Sequence, residues 1–329
     1  MYSYNLTRRF MAFLAFIKKW TLLCAIVFGS LVYLLFSQVP MLQPFGNIVG
    51  PHLVDVMPIL IFLILYVTFC KIRMDDFRPH KWHFWLQGIR TVLSALVVLA
   101  ILHIKDPEQK ILFEGIFICV ICPTAAAAAV ITEKLGGSIA SMTVYTIIAN
   151  CFTSVIIPLF FPMIERAANI TFMFAFFMVL KRVVMVLVVP LCLALLTRRY
   201  LPKVAGWFKR RKNLAFYIWS INLSILMGFT LKTMLHAQLS THMLLLMLIL
   251  PLFISLALFG IGKFVGHQYG DSISGGQALG QKNTIVGIWL TITFLNPLAV
   301  IAPCAYMIWQ NIINTWQLWY KEKYGILKW

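Results

Sequence analysis

Apolar residues run along this chain in blocks of about eighteen or more, separated by short polar gaps. A helix of that length crosses roughly 30 Å of hydrocarbon. The blocks predict ten spans, at 20–37, 52–70, 84–104, 111–131, 138–163, 180–197, 214–232, 243–265, 273–295 and 297–317. The fold class expected is therefore an all-α polytopic membrane protein with no room for a separate soluble domain. The first block follows Arg8, Arg9, Lys18 and Lys19 as the apolar part of a signal peptide would, but it lacks a small-x-small cleavage site and reads as a retained first helix.

An odd number of spans in each half turns the second half over relative to the first. The pattern divides into an inverted pair, 1–163 with helices 1–5 and 164–329 with helices 6–10. The apolar stretch 169–180 adjoins Lys181 and Arg182, so it is expected to lie at the interface as a helix leading into span six. The fourth span of each half breaks the apolar pattern. Span four holds Cys122-Pro123-Thr124 and then five alanines, and a proline inside a helix removes a donor and clashes with the preceding turn. Span nine places Gln277, Gln281, Lys282 and Asn283 among Gly275, Gly276, Gly280 and Gly287. Two interrupted helices at matching positions of two halves point to a transport site near the midplane.

Composition and charge sharpen this picture. Hydrophobic residues make up 61% of the 329 and charged ones 12%, and the mean hydropathy is +0.88. The net charge of +18 does not gather into a nucleic-acid face; it alternates from loop to loop. With a cytoplasmic N-terminus, twenty Lys and Arg lie on that side, among them Lys71, Arg73, Lys134, Lys263, Lys328 and the run from Arg198 to Lys212, against six on the other, including Lys105, Lys110, Arg166 and Lys232. That bias predicts an inner-membrane protein with both termini cytoplasmic. The seven cysteines are scattered packers without disulfide or zinc spacing, the histidines lie in loops or near span ends, and no phosphate-binding loop occurs, so neither an enzyme, a metal site nor an ATP-driven pump is expected.

Cys122-Pro123, Val130-Ile131-Thr132 and Gly137, then Gly280, Asn283 and Trp309-Gln310-Asn311, resemble the bile acid:sodium symporter family, within the bile/arsenite/riboflavin transporter superfamily. The resemblance implies two inverted five-helix repeats. Broken helices 4 and 9 would cross in a core domain beside a panel of spans 1, 2, 6 and 7, and substrate would bind in the cleft between the two bodies. The family's sodium ligands carry over poorly. Its Ser-Asn falls on Ala128 and Ala129, its carboxylate on Ala278 and its glutamine on Lys282, while Asn283 and Thr146 retain polar side chains. The sodium sites are therefore expected to be lost, with the Lys282 ammonium in place of a bound cation and able to load and release a proton. A lysine at a helix centre costs roughly 2.5–3.5 kcal/mol on insertion scales, which argues for a partner or a wet cavity. Pairing with Glu114 or Asp55 is the purely structural alternative.

Thr143, Thr146, Asn150 and Thr153 share one stripe of span five, and Asn222 and Ser224 offer a polar patch on span seven. Asp55, Arg90, Glu114 and Glu133 lie near span ends and are read as interfacial. Candidate substrate- or ion-binding residues are thus Thr124, Ala128, Ala129, Thr146, Asn150, Gln277, Gln281, Lys282, Asn283 and Asn222. The function expected is secondary transport of a small organic anion by alternating access, with the solute and the lipid bilayer as partners. A metalloid or weak-acid permease using Cys122 and a non-transporting sensor of the same fold are the alternatives.

Overall fold

The computed structural model describes residues 21–71, 78–125, 127–165, 171–211 and 214–327. Arg8, Arg9, Lys18, Lys19, Arg73, Arg166, Lys212 and Lys328 of the topology argument, Ala126 of the alanine run and residues 169–170 of the expected interfacial helix lie outside the described residues. The described residues are helix and connecting turn: α1 Thr21–Gln38, α2 Gln43–Cys70, α3 Lys81–His103, α4 Pro107–Ile121, α5 Ala128–Leu135, α6 Ile139–Ile164, α7 Phe172–Leu187, α8 Val189–Tyr200, α9 Pro202–Arg210, α10 Leu214–Leu235, α11 Thr241–His267, α12 Ser272–Gly280, α13 Thr284–Phe294, a 3-10 turn at Pro297–Val300, and α14 Ile301–Tyr324. In hydrocarbon every backbone donor and acceptor must be satisfied within the chain, which is why apolar blocks of this length become helices. Where their first turns meet polar surroundings, side chains cap them: Asp106 accepts from Gln109 N, Ser138 from Ser141 N and Ser240 from Met243 N.

Six stretches are each long and apolar enough to cross a membrane: Gln43–Cys70, Lys81–His103, Ile139–Ile164, Phe172–Tyr200, Tyr217–Leu235 and Thr241–His267. The chain is an all-α multi-pass membrane protein. Spans four and nine are each split in two, as α4 with α5 and α12 with α13. Two departures from the apolar pattern have local causes. Span two begins at Gln43 rather than 52 because Pro44 sits in the first helical turn, where its missing donor costs nothing. The break expected near residue 180 falls at Val188 instead, just before Pro190, so α7 runs through Lys181 and Arg182, both exposed, rather than ending ahead of them.

The helices gather into two bodies. In one, α10 lies against α1 and α2, and α2 against α7 and α8. In the other, α11 packs on α12, α14 and α4, and α3 on α4 and α6. Close helix approach is bought with small residues, as expected between helices that gain nothing from hydrophobicity in lipid. A Cβ on Gly266 would come within 3.0 Å of the Gly275 Cα, and one on Gly276 within 2.6 Å of the Lys263 side chain. Gly275 and Gly276 are therefore helical packing positions of α12; the interruption of span nine comes later, at Gln281.

Candidate functional site

The break in span four follows from proline chemistry. A residue before proline is pushed out of the helical region, and Cys122 indeed sits at φ −50°, ψ 139°. Helix α4 ends at Ile121, and α5 starts only at Ala128. In span nine, Gln281 at φ −91°, ψ 101° and Asn283 at φ −78°, ψ 74° separate α12 from α13. The two unwound segments meet as a short antiparallel bridge, Thr124 opposite Lys282. Ala125 N donates to Gln281 O at 3.1 Å and Asn283 N to Pro123 O at 2.7 Å. Each broken helix thus satisfies part of the other's exposed backbone.

Side chains take up the rest. Thr124 Oγ1 donates to Ala278 O at 2.6 Å, and Tyr306 OH to Gly280 O at 2.6 Å. Gln310, one turn further along α14, grips both backbone groups of Lys282: its Oε1 accepts from Lys282 N at 2.8 Å and its Nε2 donates to Lys282 O at 3.2 Å. At the free C-terminal end of α4 two cations arrive. Lys282 Nζ donates to Val120 O at 2.7 Å, and Arg90 Nη1 to Cys122 O at 3.3 Å. Arg90 also reaches Ala149 O on α6 at 3.3 Å and the Gln87 side chain. Both cations are buried, Lys282 at 1% and Arg90 at 2% exposure. The negative end of a helix dipole and its unpaired carbonyls favour cations at this end.

Several sequence expectations change here. Arg90 is not an interfacial residue but part of the crossing, because α3 packs its Gln87–Arg90–Ser94 face inward against the carbonyls that Pro123 frees. Glu114 is likewise buried, at 1% exposure; its Oε2 accepts from Asn296 N at 3.0 Å. Lys282 pairs with neither Glu114 nor Asp55; Asp55 is 80% exposed beside His52. Arg90 and Gln310 were the residues missed. The i, i+3, i+7 polar spacing of Gln87, Arg90 and Ser94 was the available signal for the first, and Gln310 lies within the Trp309-Gln310-Asn311 block.

Of the candidates, Thr124, Gln281, Lys282 and Asn283 form the crossing itself, and Ala128, buried, begins α5 beside it. Ala129 is half-buried. Gln277 sits one turn before, its Nε2 donating to Asn314 Oδ1 at 2.9 Å and Gln317 Oε1 at 2.8 Å. Thr146 turns its hydroxyl back to Met142 O, and Asn150 donates to Thr146 O at 2.7 Å. Asn222 belongs to the other body, on α10, fully buried. Among the described residues, Asn150 Oδ1, Gln277 Oε1, Gln281 Oε1 and both amide atoms of Asn222 have no hydrogen-bond partner within the protein. Buried polar atoms in that state are where a bound solute or water gains most. Cys122 Sγ presses on Gly287, leaving no space for a Cβ there.

The sequence model of the Sodium Bile acid symporter family matches residues 58–261, well over half of the chain. The match includes the Pro123 break and stops before the second break. No curated protein matches the chain.

Proposed function

Because the chain belongs to the sodium bile acid symporter family, a family of membrane transporters rather than enzymes, we propose that it is a secondary transporter of a small organic anion, working by alternating access and independently of sodium. The observation that carries this reading is the pair of buried cations, Lys282 and Arg90, at the crossing of the two broken helices. The N-terminal ends of α5 and α13 lie at the same crossing, and neither N-cap residue, Ala127 or Asn283, caps its helix with a side chain. Cations and uncapped N-termini favour an anionic solute.

Independence from sodium is supported by the donor set. Ala128 and Ala278 offer no side-chain oxygen, and the Val120 and Cys122 carbonyls already accept from Lys282 and Arg90. Two basic side chains at the crossing would also repel a sodium ion there. In this reading 1–163 and 164–329 are two inverted repeats, the bodies around α2 and around α11 are panel and core, and the cleft between them is the solute path. The chain sits in the inner membrane with both termini in the cytoplasm.

The test is uptake of labelled carboxylates and sulfonates into proteoliposomes, with sodium and proton gradients imposed separately. Uptake indifferent to sodium in the wild type and lost in Lys282→Ala is expected. Sodium-driven uptake that survives Lys282→Ala would sink the reading, and absence of flux under every gradient would favour a non-transporting sensor.

A further inference from the structure

Among the described residues Glu114 is the one carboxylate that is fully buried, and the crossing does not use it. It lies two turns into α4. Its Oε1 is 3.8 Å from Lys110 Nζ, one turn earlier, and the same ammonium holds Glu165 at 2.5 Å. Glu165 ends α6, at the opposite end of that helix from Ser138 and only a few residues before α7 of the other body. One lysine thus stands between two carboxylates where the chain leaves the core. The 3-10 turn and α14 pack on this stretch of α4, Gly115 meeting Ala299 and Ala302, and α11 contributes Met247; none of these residues is charged. Arg90 of α3 is committed to Cys122. From α7, Arg182 stacks over Phe294, two residues before Asn296, at 5.7 Å from the ring centroid.

We infer that Glu114 is the proton-binding site of the transport cycle, loaded from water through Glu165. This rests on the transporter reading above. A buried carboxylate is costly when ionised and unpaired, and its single cation is shared. With Glu114 ionised, the Glu114–Lys110–Glu165 group carries one net negative charge; with Glu114 protonated, it is neutral. The proton travels from water to Glu165, 42% exposed, and on to a Glu114 carboxylate oxygen, where an O–H bond forms and no electron moves. The charge change occurs against the turn at Asn296, two residues after Phe294, over whose ring Arg182 of the other body lies, and so falls near the seam between the two bodies. Unlike Lys282, which is held at the crossing by the Val120 carbonyl, Glu114 is joined through Lys110 to a partly exposed carboxylate.

Glu114→Gln is the decisive variant, since a glutamine oxygen still accepts from Asn296 N but cannot titrate. Three readouts are compared in proteoliposomes and detergent: accumulation of labelled sulfonates, which do not cross bilayers as neutral acids, under an imposed pH gradient; sulfonate counterflow without a gradient; and melting temperature of the solute-free protein between about pH 5 and pH 8. The variant is expected to lose gradient-driven accumulation to the level of empty liposomes, to keep counterflow, and to lose part of the pH dependence of melting. Glu165→Gln is expected to slow accumulation without abolishing it, and serves in its place if Glu114→Gln does not fold. Accumulation and melting profiles equal to the wild type would overturn the inference. If the wild type moves no sulfonate, the transport reading fails separately; a flattened melting profile in Glu114→Gln then still supports proton binding there, and an unchanged one refutes it.

Discussion

Gln310 shows how much one side chain holds at the crossing. Unwinding span nine strips Lys282 of its helical partners, and Gln310 supplies both a donor and an acceptor in their place. Leaving a buried donor or acceptor unsatisfied costs about 1–3 kcal/mol. Gln310→Leu orphans two such groups and is expected to destabilise the protein by about 2 kcal/mol or more. Its neighbour Asn311 only bonds back to Met307 O on its own helix, so Asn311→Leu should cost well under 1 kcal/mol, in keeping with the small average of polar contacts between membrane helices. Denaturant titration in mixed micelles compares the two. Arg90→Leu removes the donors to Cys122 O and Ala149 O, and an effect on stability at least as large as that of Gln310→Leu is expected. If Arg90→Leu were as stable as the wild type, its contacts at the helix break would carry no weight. Neither side chain could be located by its type alone, because an arginine or glutamine in a span is read by depth, and depth does not tell which side of a helix meets a broken neighbour.

Helices α11 and α12 illustrate what the chain pattern does and does not reveal. The glycines and amides of span nine together marked a break without locating it; Gly275 and Gly276 form ordinary helix, and it is their backs, against Gly262, Lys263 and Gly266, that matter. Glycine in a span has two uses, flexibility and closeness, and only a partner helix decides between them. Along α11 the two kinds stand side by side: a Cβ on Gly262 would collide with the Gly275 backbone, whereas one on Gly260 meets nothing within 4 Å. Gly262→Val should therefore separate α11 from α12 and lower the melting temperature sharply, while Gly260→Val should leave it within error. Equal melting of both variants would refute the close packing of this pair. The proline break, by contrast, was legible from sequence because its cause is local: Pro123 fixes the geometry of Cys122 whatever surrounds it. Lys282 was legible for the same reason, since an ammonium in the middle of an apolar block demands an acceptor. The Val120 carbonyl became identifiable only once two distant segments were brought together.

Among the described residues the two bodies touch mainly through α10 with α13, the 3-10 turn and α14, α2 with α13, and α6 with α7. At one of these contacts Thr230 Oγ1 of α10 lies 2.9 Å from Cys304 Sγ of α14, both buried. Alternating access by rocking requires that contacts of this kind shift during the cycle, since rigid packed bodies move against each other rather than deform. The pair offers a direct test, because Thr230→Cys places a second thiol against Cys304 at a distance suited to a disulfide. Oxidation of this variant is expected to tie α10 to α14 and stop flux, and reduction to restore it, while Thr230→Cys combined with Cys304→Ala stays active under oxidation. Flux at the wild-type rate in the cross-linked protein, with the disulfide verified by mass spectrometry, would mean that α10 and α14 move as one unit. Any solute path would then have to open elsewhere, with the contacts of α2 with α13 and of α6 with α7, the latter next to Glu165, as the remaining joints.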